Sequence, residues 1–500
     1  MTDAEPRSSR RARLGRMFRA LGHRNYRLFF FGQGVSLMGT WTQRLALSWL
    51  VYRITGSKEL LGVVGFSSQI LTFLFAPLAG VLADRAVRQN LLVTLEALAM
   101  TQAFVLAGLT LGGVIGPAHV TQSVWAIVSL SLVTGLVNAF EIPIRQSFVV
   151  EMLDTRDDLH NAIAMNSFLV NASRLAGPTL AGFLIAVVGE GWCFMLNGVS
   201  FLAVIAALLA MKVKPREISP HKARVVEHLK EGFRYAFGFA PIRAILILLT
   251  AVSLLGMPYS VLMPVFAKDV LGGGPGTLGF LVAATGAGAL AGGVLLAFRR
   301  NVLGLGRVMA LASATFGAAL ICFSLSRNFW LSMAILACAG FGVMMQMAAS
   351  NTLLQTIVED DKRGRVMSFY TMCFVGMVPF GSLVMGALAQ RLDVPVARLL
   401  KELGLDAARY FGKGPLGAHA VLIVGGIGCI LAAAVFASRL RLMDRVIQPL
   451  YIQRGIVQRG IVQTGIVQTG VVQTGVVPDM HPHAAEGIVI ASPPQEEVRM

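Results

Sequence analysis

Long apolar runs dominate the chain, separated by short polar loops. A helix needs about 20 mostly apolar residues to cross roughly 30 Å of hydrocarbon. That length predicts twelve spans, at 28–52, 59–83, 91–112, 121–144, 161–188, 192–211, 243–267, 276–298, 307–325, 329–352, 366–390 and 416–438. The runs are continuous, not alternating, so a strand barrel does not fit them. The pattern predicts an all-α membrane protein of two six-helix bundles, 28–211 and 243–438, with a basic N-terminus (1–27), a linker (212–242) and a tail (439–500).

Two connecting stretches have patterns of their own. Residues 222–239 mix basic and apolar positions at helical spacing, which predicts an amphipathic helix at the membrane surface. Residues 455–477 repeat a five-residue unit of the type Gly-Ile-Val-Gln-Thr. Five fits neither a heptad nor a strand period and matches no known solenoid unit, so the tail is expected to be irregular.

Charge sets the topology. Of the 43 Lys and Arg residues, 32 fall on the side of the two termini and nine on the other. Five of those nine sit in one loop after the eleventh span, an expected extracytoplasmic insert. The bias predicts a multi-pass protein of the inner (plasma) membrane with both termini cytoplasmic. The net charge of +17 is therefore read as topology signals and contact with anionic lipid head groups, not nucleic acid. The Arg-rich start lacks a small-residue cleavage site after the first apolar run, which is read as a retained helix.

Other chemistry is excluded by pattern. The five cysteines (193, 322, 338, 373 and 429) lie in apolar runs without metal-ligand spacing and read as small core residues. No phosphate-loop or zinc-protease motif is present, so the chain is not expected to be an enzyme or to hold a cofactor or metal. Gly274-Pro-Gly276-Thr-Leu-Gly279 fits a dinucleotide pattern literally but follows no strand, and reads as a turn. Gly288 and Gly292 read as a helix packing contact, and a monomer is expected.

Two cations interrupt the spans. Arg44 lies sixteen residues into the first and Arg174 near the middle of the fifth. A mid-span Arg costs about 2.5–3.5 kcal/mol on insertion scales and needs a partner or water. Both are expected to face the interior, holding an anionic substrate or pairing with an acid. Glu96 in span three and Glu141 in span four are the candidate proton carriers, since a buried carboxyl can take up and release protons. Glu141 also stands four residues before Arg145, close enough for a local pair. Gln43, Asn138 and Gln346 are the polar residues expected to line a path, although Gln33, Gln69, Asn166 and Asn351 share the ambiguity between cavity lining and helix joining.

Gly80-Val-Leu-Ala-Asp84-Arg85-Ala-Val-Arg88-Gln89 resembles the major facilitator loop motif, with Val87 and Gln89 departing from it. Gly80 would permit close helix contact, and Asp84, Arg85 and Arg88 would form a latch that breaks between conformations. Gly177-Pro178-Thr-Leu-Ala-Gly182 resembles the antiporter motif, where Pro178 bends the helix and the glycines admit a tight neighbour. Segments Met38–Arg44, Leu50–Ser57, Ile142–Phe148, Asn161–Ser167, Arg174–Pro178, Arg363–Ser368 and Pro379–Ser382 together resemble the branch containing the enterobactin exporter and the macrolide efflux proteins. The resemblance implies proton-driven export of a small organic molecule, siderophore or drug-like, by alternating access. A sensor or assembly partner that kept the fold without transport, and an importer of the same fold, are the alternatives.

Overall fold

The computed structural model describes residues 18–85, 87–213, 225–299, 301–404, 411 and 414–453. Contacts divide the chain into two compact units, 1–448 and 449–500, and of the second only 449–453 are described. Among the described residues every regular element is helical.

The first bundle holds α1 (Arg24–Thr55), α2 (Lys58–Arg85), α3 (Arg88–Leu111), α4 (Val120–Phe148), α5 (Leu159–Val188) and α6 (Glu190–Ala210). α1 stops at Gly56, whose φ of 59° is the left-handed geometry that glycine adopts without strain. α7 (Val225–Gly238) is the linker helix, within the stretch where an amphipathic helix was expected. The second bundle holds α8 (Ala240–Val270), α9 (Pro275–Ala297), α10 (Leu305–Leu325), α11 (Phe329–Ile357), α12 (Asp360–Phe374), α13 (Val378–Arg391) and α15 (Leu416–Ser438). Between the last two lies the short α14 (Asp393–Glu402).

Eleven of these segments are long and apolar enough to cross a membrane. α1 falls short because Gln33, Thr40, Thr42, Gln43, Arg44 and Ser48 dilute it, yet at 32 residues it is among the longest helices. It packs along α5 and α6, which brings the spans among the described residues to about twelve. Large side chains such as Trp125, Leu311 and Trp330 point outward and bare, as lipid-facing residues do.

Three expectations change. Span seven is not one regular helix: α8 passes from α-helix through a wide π turn (Val252–Gly256) into tight 3-10 turns (Met257–Leu262). Pro258 and Pro264 each lack the N–H that the regular ladder needs. Span eleven is broken between α12 and α13, where Gly376 precedes Pro379. The tail is not irregular from 439 onward, because Leu440–Gln453 forms α16. Leu440, Met443 and Ile447 recur at helical spacing, and the last two are buried. The five-residue repeat lies outside the described residues.

The N-terminal end of the first bundle is sealed by an apolar cluster including Tyr26, Phe29, Leu92, Ile144, Phe148 and Met152. Beside it His23 lies between Asp154 at 2.8 Å and Asp158 at 2.9 Å. Burial acts to lower the His23 pKa, but the hydrogen bonds and charges of the two aspartates outweigh it and the net shift is upward from 6.5. A raised folded-state pKa adds stability below the unfolded value that disappears as pH rises through the folded value. Thermal unfolding should therefore show His23→Gln least stable relative to the native chain at acid pH, with the gap narrowing as pH rises. A gap that widens with pH would refute the assignment.

Candidate functional site

The two in-span arginines meet. Trp41 and Arg44, three residues apart on α1, share a helix face. The Arg44 Cζ lies 5.2 Å from the centre of the Trp41 ring, and the Arg174 Cζ, arriving on α5, lies 5.7 Å from it. One indole thus serves two guanidinium groups by cation–π attraction. Neither arginine has an ion pair or hydrogen bond among the described residues. Arg44 is exposed and Arg174 half-buried. Arg44 is within Coulombic reach of Glu141, Arg174 and Arg145.

The acids belong to the same cluster. Glu141 pairs with Arg145 at 2.5 Å along one face of α4. Glu96 on α3 is 3% exposed, has no hydrogen-bond partner among the described residues, and feels both Glu141 and Arg145. Asn138 is half-buried on α4, one turn before Glu141. From the second bundle, Tyr259 of α8 rests against Thr285 of α9 and within Coulombic reach of Arg174. With both acids ionised, three arginines and two glutamates leave one net positive charge.

Two expected lining residues do other work. Gln43 is buried and fully used: its Nε2 donates to Gln102 Oε1 at 3.0 Å, and its Oε1 accepts from Asn197 Nδ2 at 2.8 Å. It ties α1 to α3 and α6. Gln346 is sealed from solvent, its Nε2 3.4 Å from Ser350 Oγ and its Oε1 without a partner. In the expected latch, Arg88 Nη1 donates to Glu151 at 2.7 Å and to the Ser147 carbonyl at 3.3 Å, which ties α3 to the end of α4 within one bundle. Gly80 lies within α2, and the side chains of Asp84 and Arg85 lie outside what is described.

The bundles touch where α5 crosses α9 and α2 crosses α13. At the first crossing a Cβ on Gly182 would lie 2.8 Å from the Pro275 carbonyl and 3.0 Å from Gly276 Cα. At the second, a Cβ on Gly386 would lie 2.7 Å from the Lys58 carbonyl and 2.8 Å from Gly62 Cα. Glycine is required at these approaches because backbone meets backbone. Gly177 packs against Trp41, and Pro178 removes the N–H that would have bonded the Arg174 carbonyl. Gly276 and Gly279, which read as a turn in sequence, are half of the first crossing. Gly288 and Gly292 pack against α11, within one bundle.

Polar contacts close the same end. Buried Lys58 pairs with Asp393 of the opposite bundle. Tyr52 donates to Asp269, and the Lys268 ammonium lies 5.5 Å from the Tyr52 ring centre. No local pattern foretold this pairing, because Lys58 and Asp393 are 335 residues apart. The available signals were isolated charges at span ends and small residues at i, i+3 and i+4. Among the described residues the tightest glycine crossings and the polar contacts between the bundles lie at this end.

A family model described as transmembrane secretion effector matches residues 17–412. The chain is 25% identical over 362 residues to the Staphyloferrin A transporter of Staphylococcus aureus, covering 72% of this chain and 88% of that protein. It is 22% identical over 388 residues to Macrolide efflux protein A of Streptococcus pyogenes, covering 74% and 92%. In fold it is similar to a bacterial homologue of the human lysosomal transporter Spinster, solved in an inward-facing and unoccupied conformation. The TM-score there is 0.63 at 17% identity, over 84% of this chain and 98% of that one.

Proposed function

The chain belongs to the transmembrane secretion effector family of major facilitator transporters, and on that premise we propose that it exports a small, negatively charged organic molecule by alternating access coupled to protons. The observation that carries this reading is the pair of guanidinium groups that meet on Trp41 inside membrane-spanning helices, neither with an ion pair among the described residues. Uncompensated cations are expensive there unless an anion arrives to use them. Arg44 and Arg174 hold the cargo, with Asn138 at the edge. Gln43 and Gln346 are left out of that set, because one is fully bonded and the other sealed.

The Lys and Arg bias supports an inner-membrane protein with both termini cytoplasmic. On that topology the crossings of α5 with α9 and of α2 with α13 lie toward the extracytoplasmic side. For an anion leaving the cell, an inside-negative potential contributes about 2.3 kcal/mol per charge per 100 mV.

Glu96 and Glu141 carry the proton. Protonating either raises the positive charge of the site by one; on charge alone an anion then binds together with the proton, while a basic cargo is displaced by it, as exchange for an inward-moving proton requires. The pH response of binding therefore reports the sign of the cargo. Glu96→Gln should flatten the pH response of binding. An unchanged pH profile would remove Glu96 from the mechanism. The test of the whole reading is flux in proteoliposomes, with staphyloferrin A as the first cargo tried and an uncoupler as control. Flux that persists after uncoupling would reject proton coupling. Binding of anions with no flux at all would favour a sensor.

A further inference from the structure

We propose that α14 is a membrane-surface anchor whose apolar face lies in the extracytoplasmic lipid boundary and whose first residue presents one half of the contact joining the bundles. The proposal uses the topology above but not the cargo.

α14 begins two residues after α13 ends, at the mouth of a membrane span. At 100° per residue, Pro395, Val396, Leu399, Leu400 and Leu403 fall on one face, with Arg398 and Lys401 on the other. None of its ten residues is buried, and Leu399 and Leu403 are 54% and 62% exposed. Val394 is the one large apolar residue on the polar side. An apolar helical face left bare in water is unfavourable; among the described residues Leu399 and Leu403 stay exposed, while Val396 and Leu400 are half-covered. On α13, the span that leads directly into α14, Val384 and Leu388 are also exposed. Lipid covers those side chains, so lipid is the partner within reach of α14. Its cations suit the phosphate level of the boundary, where Lys and Arg stems lie along apolar surface while their heads stay wet.

The position matters because of Asp393. It is the first residue of α14; its Oδ1 accepts from the Gly417 N–H at the start of α15 at 2.7 Å, and its other oxygen pairs with Lys58 across the bundles. The carboxylate that joins the bundles is thus fixed at one side by α15 and at the other by a helix resting on lipid. Loosening that helix should loosen the joined end.

Spin labels test this on the full chain in nanodiscs, with the five native cysteines replaced by alanine. A label at Leu399→Cys should be relaxed by oxygen and hidden from a soluble nickel chelate, and one at Lys401→Cys should show the reverse. Equal nickel accessibility at the two positions would overturn the anchor. So would protection of position 399 from both reagents, which would mean that protein covers it. In a second measurement, Leu399→Ser with Leu403→Ser should lengthen label-to-label distances across the joined end. Unchanged distances would overturn the link to Asp393. None of these readouts requires cargo or flux, so they fail or succeed apart from the proposed function.

Discussion

Arg44→Gln is expected to weaken capture of an anionic cargo by about ten- to a hundredfold, and at the same time to make the empty protein more resistant to heat. The first effect follows from the loss of charge-assisted hydrogen bonds, each worth about 1.5–3 kcal/mol, with 1.4 kcal/mol per tenfold in affinity. The second follows from what surrounds the side chain now. Arg44 is desolvated and has no salt bridge among the described residues; Glu141 attracts it, while Arg174, which shares the Trp41 ring, and Arg145 repel it. Removing one of several like charges relieves repulsion in the empty state. A structural ion pair predicts the opposite sign, because breaking a buried pair costs about 3–5 kcal/mol. Isothermal binding and a thermal-shift assay on the same preparation separate the two readings. A fall in both affinity and melting temperature would assign Arg44 to the fold and remove it from the site.

The spans and the arginines could be read in advance because each is a local matter of solvent. Twenty apolar residues in a row have one natural environment, and a guanidinium among them has few. The convergence of Arg44 and Arg174 on Trp41 could not be read, since it depends on how α1 and α5 cross. The same holds for Gln43: a polar residue in an apolar span either borders water or bonds a neighbouring helix, and only its rotation about the axis decides. Asn197, its partner, stands 154 residues away. The irregularity of α8 was written in Pro258 and Pro264, but an overall apolar run masks two missing hydrogen bonds. Glu96 and Glu141 were singled out as scarce acids, and their shared neighbour Arg145 joined them to the arginines only in three dimensions.

Gly386→Leu should abolish transport while leaving cargo binding near its native strength, the reverse of the Arg44 result. A Cβ at this position meets the Lys58 carbonyl at 2.7 Å and Gly62 Cα at 2.8 Å, both backbone atoms of the other bundle. Backbone cannot rotate away as a side chain can, so the crossing of α2 and α13 must open to admit the larger residue. Two contacts are then pulled apart, the glycine crossing and the neighbouring Lys58–Asp393 pair. The binding residues lie elsewhere in the bundles and are untouched. The pair alone is the weaker constraint: the Asp393 side chain is 31% exposed, and solvent screens what Lys58 contributes. Lys58→Met should therefore shift the balance between the two faces less than Gly386→Leu does. Each tenfold change in that balance corresponds to about 1.4 kcal/mol. Label distances across the joined end give the balance directly, and flux in proteoliposomes gives its consequence. Native flux in Gly386→Leu would show that this end need not close during the cycle, and alternating access at this crossing would have to be given up.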